Sequence, residues 1–170
     1  MNPAISTCDL CDTHEAELAG SNAKQLRILP DVYKNYGGLP SFYGQAHTLR
    51  CPEDNSRVRE AVAQPGAGKV LVVDGGGITR RALVGGSLAA TAAKNGWAGI
   101  LVYGAVRDIA ELRVAPLGIK ALALCPLRTD KRGLGDAGIP VMISGYLVQQ
   151  GDWVYADEDG VLVSAVSLHV

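Results

Sequence analysis

The chain has 170 residues, 48% of them apolar and 19% charged, which is enough to bury one core without disulfides or a metal staple and excludes a disordered chain. Sixteen basic against seventeen acidic residues leave a net charge of -1, which excludes a global electrostatic footprint for nucleic acid or an anionic membrane. No stretch approaches the ~18 apolar residues that span a bilayer, and Met1-Asn2-Pro3-Ala4 lacks a basic-then-apolar leader, so the reading is a cytoplasmic protein with free thiols at Cys8, Cys11, Cys51 and Cys125.

Ser6 or Thr7 supplies an N-cap for an amphipathic helix through Leu18, with Gly20-Ser21-Asn22 as its stop. On it, Cys8-x-x-Cys11-x-x-His14 has the outline of part of a zinc site. A closed site needs four ligands and no second CxxC or HxxxH completes it, so a helix face with a stray histidine is the plainer reading. Residues 28–41 hold two prolines and Gly37-Gly38 and read as an irregular connector, followed by a strand over Gly44–Cys51. A helix starting at Glu53 or Asp54 runs through Ala63, and Pro65-Gly66-Ala67-Gly68 turns the chain into a buried strand, Lys69–Val73. Ser87–Asn95 has helical spacing with Leu88, Ala89 and Ala92 on one face and Gly96 as its stop; Gly99–Tyr103 is the next buried strand. Short runs at Lys120–Leu124, Val141–Ser144, Trp153–Ala156 and Val161–Val163 are further strands, separated by Gly, Pro and Asp. Strand, helix, strand in the middle implies a right-handed parallel crossover, and the closely spaced last strands imply antiparallel pairing against it. The expected fold is a single α/β domain with a mixed sheet.

Three segments have residues suited to chemistry. Val73-Asp74-Gly75-Gly76-Gly77 leaves a strand into a glycine-rich turn; it matches neither GxGxxG nor GxxxxGK[ST], and a tight structural turn is the favoured reading. Gly85-Gly86-Ser87-Leu88 opens a helix whose free N–H groups and dipole suit a carboxylate, unless Ser87 merely caps the helix and the glycines serve packing. Arg107-Asp108 follows the next strand at the same sheet edge. Arg107 has the planar fork that grips a carboxylate and Asp108 the hard oxygen that suits Mg²⁺ with several waters, the plain alternative being a surface ion pair.

These segments also carry a resemblance. Val72-Val73-Asp74-Gly75-Gly76-Gly77, Arg80-Arg81-Ala82-Leu83-Val84-Gly85, Asn95-Gly96-Trp97-Ala98-Gly99 and Tyr103-Gly104-Ala105-Val106-Arg107-Asp108 resemble the RraA-like family of ribonuclease regulators and metal-dependent pyruvate aldolases. The likeness extends from Ser6-Thr7-Cys8-Asp9-Leu10-Cys11-Asp12 to Gly151-Asp152-Trp153-Val154-Tyr155-Ala156-Asp157 and Asp159-Gly160-Val161, so one domain over 1–170 is implied.

The resemblance implies a β/β/α sandwich like that of phosphohistidine swivelling domains, assembled as a homotrimer with sites at subunit boundaries. It implies a divalent-metal-dependent lyase that cleaves 4-hydroxy-4-methyl-2-oxoglutarate and related 2-oxo diacids to pyruvate and decarboxylates oxaloacetate. In that role the amides of Gly85, Gly86, Ser87 and Leu88 seat the substrate, Arg107 binds its carboxylate and oxo end, and Asp108 holds Mg²⁺ or Mn²⁺. The family's aldolase pattern is Asp, twenty residues, then Arg-Asp; here the first position is Gly86, so the carboxylate that assists proton removal from the 4-hydroxyl is missing. Two other readings follow: a non-catalytic member that binds and inhibits ribonuclease E through protein contact, and a scaffold that has lost its chemistry.

Overall fold

Residues 70–73 and 99–102, Val-Leu-Val-Val and Gly-Ile-Leu-Val, have the composition of strands covered on both faces. In the computed structural model, which describes residues 4–19 and 25–169, both lie in the middle of a large mixed sheet. The elements in chain order are α1 (Thr7–Thr13), α2 (Glu15–Ala19), β1 (Leu26–Ile28), β2 (Lys34–Asn35), β3 (Phe42–Arg50), α3 (Ser56–Val62), β4 (Val70–Asp74), β5 (Ala82–Val84), α4 (Gly86–Lys94), β6 (Gly99–Val106), α5 (Ile109–Val114), β7 (Gly118–Leu124), β8 (Asp136–Ala137), β9 (Val141–Ile143), β10 (Tyr146–Val148), β11 (Trp153–Ala156) and β12 (Val161–Ser164).

Strands β3, β4, β6 and β7 run parallel and are joined by α3, α4 and α5. Beyond β3 the sheet continues antiparallel through β11, β12 and β1, and β2 closes the other edge against β7. Alternation along β4 sets the layers. Leu71 and Val73 pack with Val58, Ala61, Ala89, Ala92 and Leu112 of the helices. Val70 and Val72 face Val154, Ala156, Val161 and Val163, where the antiparallel strands fold back over the sheet, together with Ile143 of the β9–β10 hairpin. Helices α3, α4 and α5 therefore lie on one face, and the loops leaving β4, β5, β6 and β7 gather at one edge, where open parallel sheets bind ligands.

A single aromatic ring keys these layers together. Gly99 and Gly118 stand opposite one another on β6 and β7, and a β-carbon on either would overlap the ring of the buried Phe42. Glycine at both places makes a slot for that ring.

Several elements depart from the sequence-based expectation. The N-terminal helix breaks at His14: the Thr13 hydroxyl bonds back to the Asp9 carbonyl at 2.8 Å, a local bond that competes with helix propagation, and the expected stop at Gly20-Ser21-Asn22 lies outside the described residues. The connector over 28–41 contains β2, because Gly37 and Gly38 let this chain lie directly on the backbone around β7, with Tyr36 N–H donating to Ile119 O and Gly38 N–H to Ala115 O. Helix α3 starts at Ser56, since Glu53 has left-handed backbone (φ 52°) and the Asp54 carboxylate accepts the Ser56 N–H. Strand β6 runs on to Val106, its far end paired with β5, a strand too short to announce itself by periodicity. No helix among the described residues is long and apolar enough to cross a membrane.

Overfilling the slot should be felt directly. Gly118→Ala is expected to destabilise the fold by about 1–3 kcal/mol, read from chemical denaturation, and by much less in a Phe42→Leu background. Equal penalties in both backgrounds would show that the glycine serves some other purpose.

Candidate active site

The site begins at the loop between β5 and α4. Gly85 is the N-cap residue in extended backbone (φ -130°, ψ -171°), and Gly86 is the first helical residue. The alternative in which Ser87 caps the helix does not hold: Ser87 lies inside it, and no side chain of its own turn bonds to the helix end. The acceptor comes from elsewhere in the chain: Asp108 Oδ2 takes the Gly86 N–H at 3.0 Å. A β-carbon on Gly85 would stand 2.6 Å from that oxygen and 3.3 Å from Arg107 Nε, so glycine lets the acid and the guanidinium close on the helix end.

Arg107 and Asp108 are placed by the end of β6. Arg107 N–H donates to Val84 O at 2.9 Å, tying the pair to β5. Asp108 then takes left-handed backbone (φ 63°, ψ 46°) as the N-cap residue of α5, a conformation that Asp tolerates better than most residues at a strain of ~1–3 kcal/mol. The two side chains are each about a third exposed and only loosely paired, Arg107 Nε lying 3.8 Å from Asp108 Oδ2. Arg107 Nη1 makes a long contact of 3.4 Å to Pro126 O. Among the described residues the N–H groups of Ser87 and Leu88 meet no acceptor, and Asp108 Oδ1 accepts no hydrogen bond.

Gly85, Ser87, Leu88, Arg107 and Asp108 line one cavity of about 380 Å³, shared with Asn55 and Arg59 at α3 and with Arg128 and Lys131 beyond β7. Its volume lies in the range of small-ligand clefts. Its chemistry is two-sided: unpaired amides and guanidinium suit a carboxylate, and one carboxylate with a free oxygen suits a cation that keeps most of its waters. No group of three His, Cys, Asp or Glu side chains is assembled for a metal among the described residues. Asn55 Nδ2 donates to Leu83 O at 3.2 Å, while its buried Oδ1 has no partner.

Gly86 is the exception among the expected site residues. Its N–H serves the Asp108 bond, but the direction a side chain would take leads away from the cavity and is filled by Glu111, whose Oε2 a β-carbon would overlap and whose Cβ it would approach to 2.8 Å. Gly86 has no left-handed backbone, so room and not φ makes the position restrictive. It lines a neighbouring groove with Glu111, Ala90 and Lys94.

The other motifs fall outside the cavity lining. The Asp74–Gly77 segment is a structural turn: Asp74 Oδ1 accepts Gly76 N–H at 2.8 Å, Gly76 and Gly77 have φ of 68° and 71°, and Tyr103 O accepts from Gly75 and Gly77. His14 contacts Glu17 through Nδ1 and the Leu168 carbonyl through Nε2. The Asp159 charge raises the Cys8 thiol pKa and burial raises that of Cys11, the wrong direction for thiolate ligands. Sequence reasoning missed Asn55, Arg59, Arg128 and Lys131. The segment Leu127-Arg128-Thr129-Asp130-Lys131-Arg132 had a usable signal, since a charged loop after a parallel strand belongs at the same edge as Arg107. Arg59 had none, because only the tertiary fold brings α3 there.

Comparison with known proteins places this geometry in a family. The family model RraA-like, described as Aldolase/RraA, matches residues 7–163. A Burkholderia multivorans protein named "Putative 4-hydroxy-4-methyl-2-oxoglutarate aldolase" is 55% identical over 164 residues, covering 96% of this chain and 98% of the relative. The solved structure of the RNA-processing inhibitor RraA from Thermus thermophilis superposes with a TM-score of 0.87 at 43% identity, covering 96% of this chain and 94% of the other. A Geobacillus kaustophilus structure described as an S-adenosylmethionine:2-dimethylmenaquinone methyltransferase gives 0.88 at 37% identity, covering 96% and 97%. With its family match and these near full-length likenesses, the chain belongs to the RraA-like family.

Proposed function

We propose that this protein is a divalent-metal-dependent carbon–carbon lyase acting on 2-oxo diacids, with pyruvate as product and oxaloacetate decarboxylation as one of its activities. The observation that supports this reading most is the convergence on one cavity of an unpaired helix N-terminus, the Arg107 fork and a half-free Asp108 carboxylate. The aldolase name of the relatives points the same way.

In this reading the N–H groups of Ser87 and Leu88 and the Arg107 guanidinium bind the substrate's 2-oxo acid end, and Asp108, anchored through Oδ2 to Gly86 N–H, offers Oδ1 to the cation. When bound, that cation, Mg²⁺ or Mn²⁺, supplies Lewis-acid polarisation of the 2-oxo group. The left-handed backbone at Asp108 aims its carboxylate back at the α4 terminus, so anion and cation sites share one rigid corner. Decarboxylation starts from a carboxylate already ionised at neutral pH, whereas aldol cleavage requires loss of a hydroxyl proton, and Gly86 brings no base for it.

The direct test is release of pyruvate from oxaloacetate with Mg²⁺ and after chelation. Turnover above the metal-only background that stops on chelation is expected, and none at all would overturn the lyase reading. Asp108→Ala should reduce metal-dependent turnover by at least ~10² while leaving the fold intact, as should Arg107→Lys, which keeps the charge and loses the fork. Near-normal rates in both variants would leave them as a surface ion pair.

Position 86 tests the proton-removal step. Gly86→Asp alone must displace Glu111 and set a new carboxylate beside it, so a loss of about 1–3 kcal/mol is expected. Combined with Glu111→Ala, the same substitution should recover stability; because a side chain at 86 leads away from the cavity, any gain in cleavage of 4-hydroxy-4-methyl-2-oxoglutarate relative to decarboxylation should stay well short of the ~10²–10⁴ that a positioned base is typically worth. A stable double variant with a selective gain of that size would show that an acid at position 86 does reach the reacting hydroxyl.

A further inference from the structure

Three cations in the cavity wall have no assigned role. Arg59 of α3 and Arg128 and Lys131 of the loop after β7 all line it, and none of their side chains pairs with a carboxylate or makes a hydrogen bond among the described residues. Other arginines of α3, of the turn before β5 and of the loop after β7 are engaged: Arg80 binds Glu53, Arg57 binds Glu60, and Arg81 and Arg132 both approach Asp130. With Arg107 the lining holds four cations against one acid, Asp108. Like charges gathered in a concave site repel one another until an anion enters.

The loop that carries two of them is not a loose surface tail. Cys125 N–H donates to Val106 O, Ala82 N–H to Leu127 O at 2.7 Å, Thr129 N–H to Ala82 O at 3.2 Å, and Asn55 N–H to Asp130 O at 3.3 Å. The buried Asp54 carboxylate then accepts the Arg132 N–H. Main-chain bonds thus bracket Arg128 and Lys131 on both sides, fixing their Cα atoms at the cavity while leaving their charges uncommitted. Ordered backbone beneath unpaired cations is what a preorganised anion site requires.

We propose that Arg59, Arg128 and Lys131 form a second anion subsite that receives the distal carboxylate of a dicarboxylic 2-oxo acid, the first being held by Arg107 and the α4 terminus. The subsite makes the cavity selective for dianions over monoanions. The assignment rests on the cavity being the 2-oxo acid site, and the test separates the two.

Calorimetric titration at constant Mg²⁺ and ionic strength compares 2-oxoglutarate with 2-oxopentanoate, equal in chain length and differing in the distal carboxylate. 2-Oxoglutarate has neither a 4-hydroxyl nor a carboxylate on C3, so binding is read without turnover. Wild type should bind the diacid about tenfold more tightly, the scale of a charge-assisted contact. The ratio should fall close to one in an Arg59→Gln/Arg128→Gln/Lys131→Gln variant, and each single replacement should lower it by about two- to threefold. Arg113→Gln, which removes the same charge from an exposed site outside the lining, should leave it unchanged. Thermal unfolding monitors the fold, and the single variants stand in if the triple one does not fold. Equal affinity for both acids in wild type, or a preference that survives the triple substitution, overturns the subsite and leaves the 2-oxo acid site standing. Failure of both acids to bind removes the site reading and the subsite with it. A preference lost in the triple variant, together with no pyruvate from oxaloacetate, upholds the subsite and removes only the lyase.

Discussion

The hydrogen bond from Gly86 N–H to Asp108 Oδ2 is the constraint on which the site depends. It ties the helix that starts after β5 to the helix that starts after β6, and neither helix end is capped by a side chain of its own. An aspartate in left-handed backbone is strained by itself; here its carboxylate gains a charge-assisted bond to a helix terminus, which offsets that strain. Glycine at 85 is needed for it, since any β-carbon there would press on Asp108 and Arg107, while at Gly86 a β-carbon would strike Glu111 on the other side. The close approach of two crossover loops thus fixes the residue types in both.

The same corner combines opposite electrical demands. Helix N-terminus and guanidinium favour an anion, while the half-free carboxylate favours a cation, and a chelating 2-oxo acid with its metal satisfies both at once. In the proposed lyase, neither ligand alone would neutralise the site as well, and each would favour the binding of the other. Glu111 sits on the far side of Gly86, outside the cavity lining.

Much of this was legible in the residues. The apolar runs around Val70–Val73, Gly99–Tyr103 and Trp153–Ala156 have no use except as buried strands, and their spacing implied the parallel middle and antiparallel end that β4, β6, β11 and β12 show. Arg107 and Asp108 could be placed because a strand end in a parallel unit has a known address. What could not be read were long-range substitutions for local rules. Ser87 had the chemistry of a cap, yet Asp108 from the next crossover took that role. Gly86 read as a gap in a motif, whereas the space beside it is filled by Glu111. Gly37-Gly38 read as breakers, whereas they permit backbone-on-backbone contact with the region around β7. In each case the deciding neighbour lies more than twenty residues away, beyond the reach of periodicity.

The segment after β7 has a consequence for how such a pocket diversifies. Its shape is written in main-chain bonds to Ala82, Val106 and Asn55 and in the buried Asp54, none of which involves the side chains at 128 or 131. Form and charge are therefore separately encoded. Replacing an arginine or lysine there by a neutral, acidic or aromatic side chain changes what the cavity attracts without asking the backbone to find a new path. One inherited framework can then present different faces to different small molecules, with selection acting on a few exchangeable side chains while the glycines and Asp108 keep the opposite wall in place.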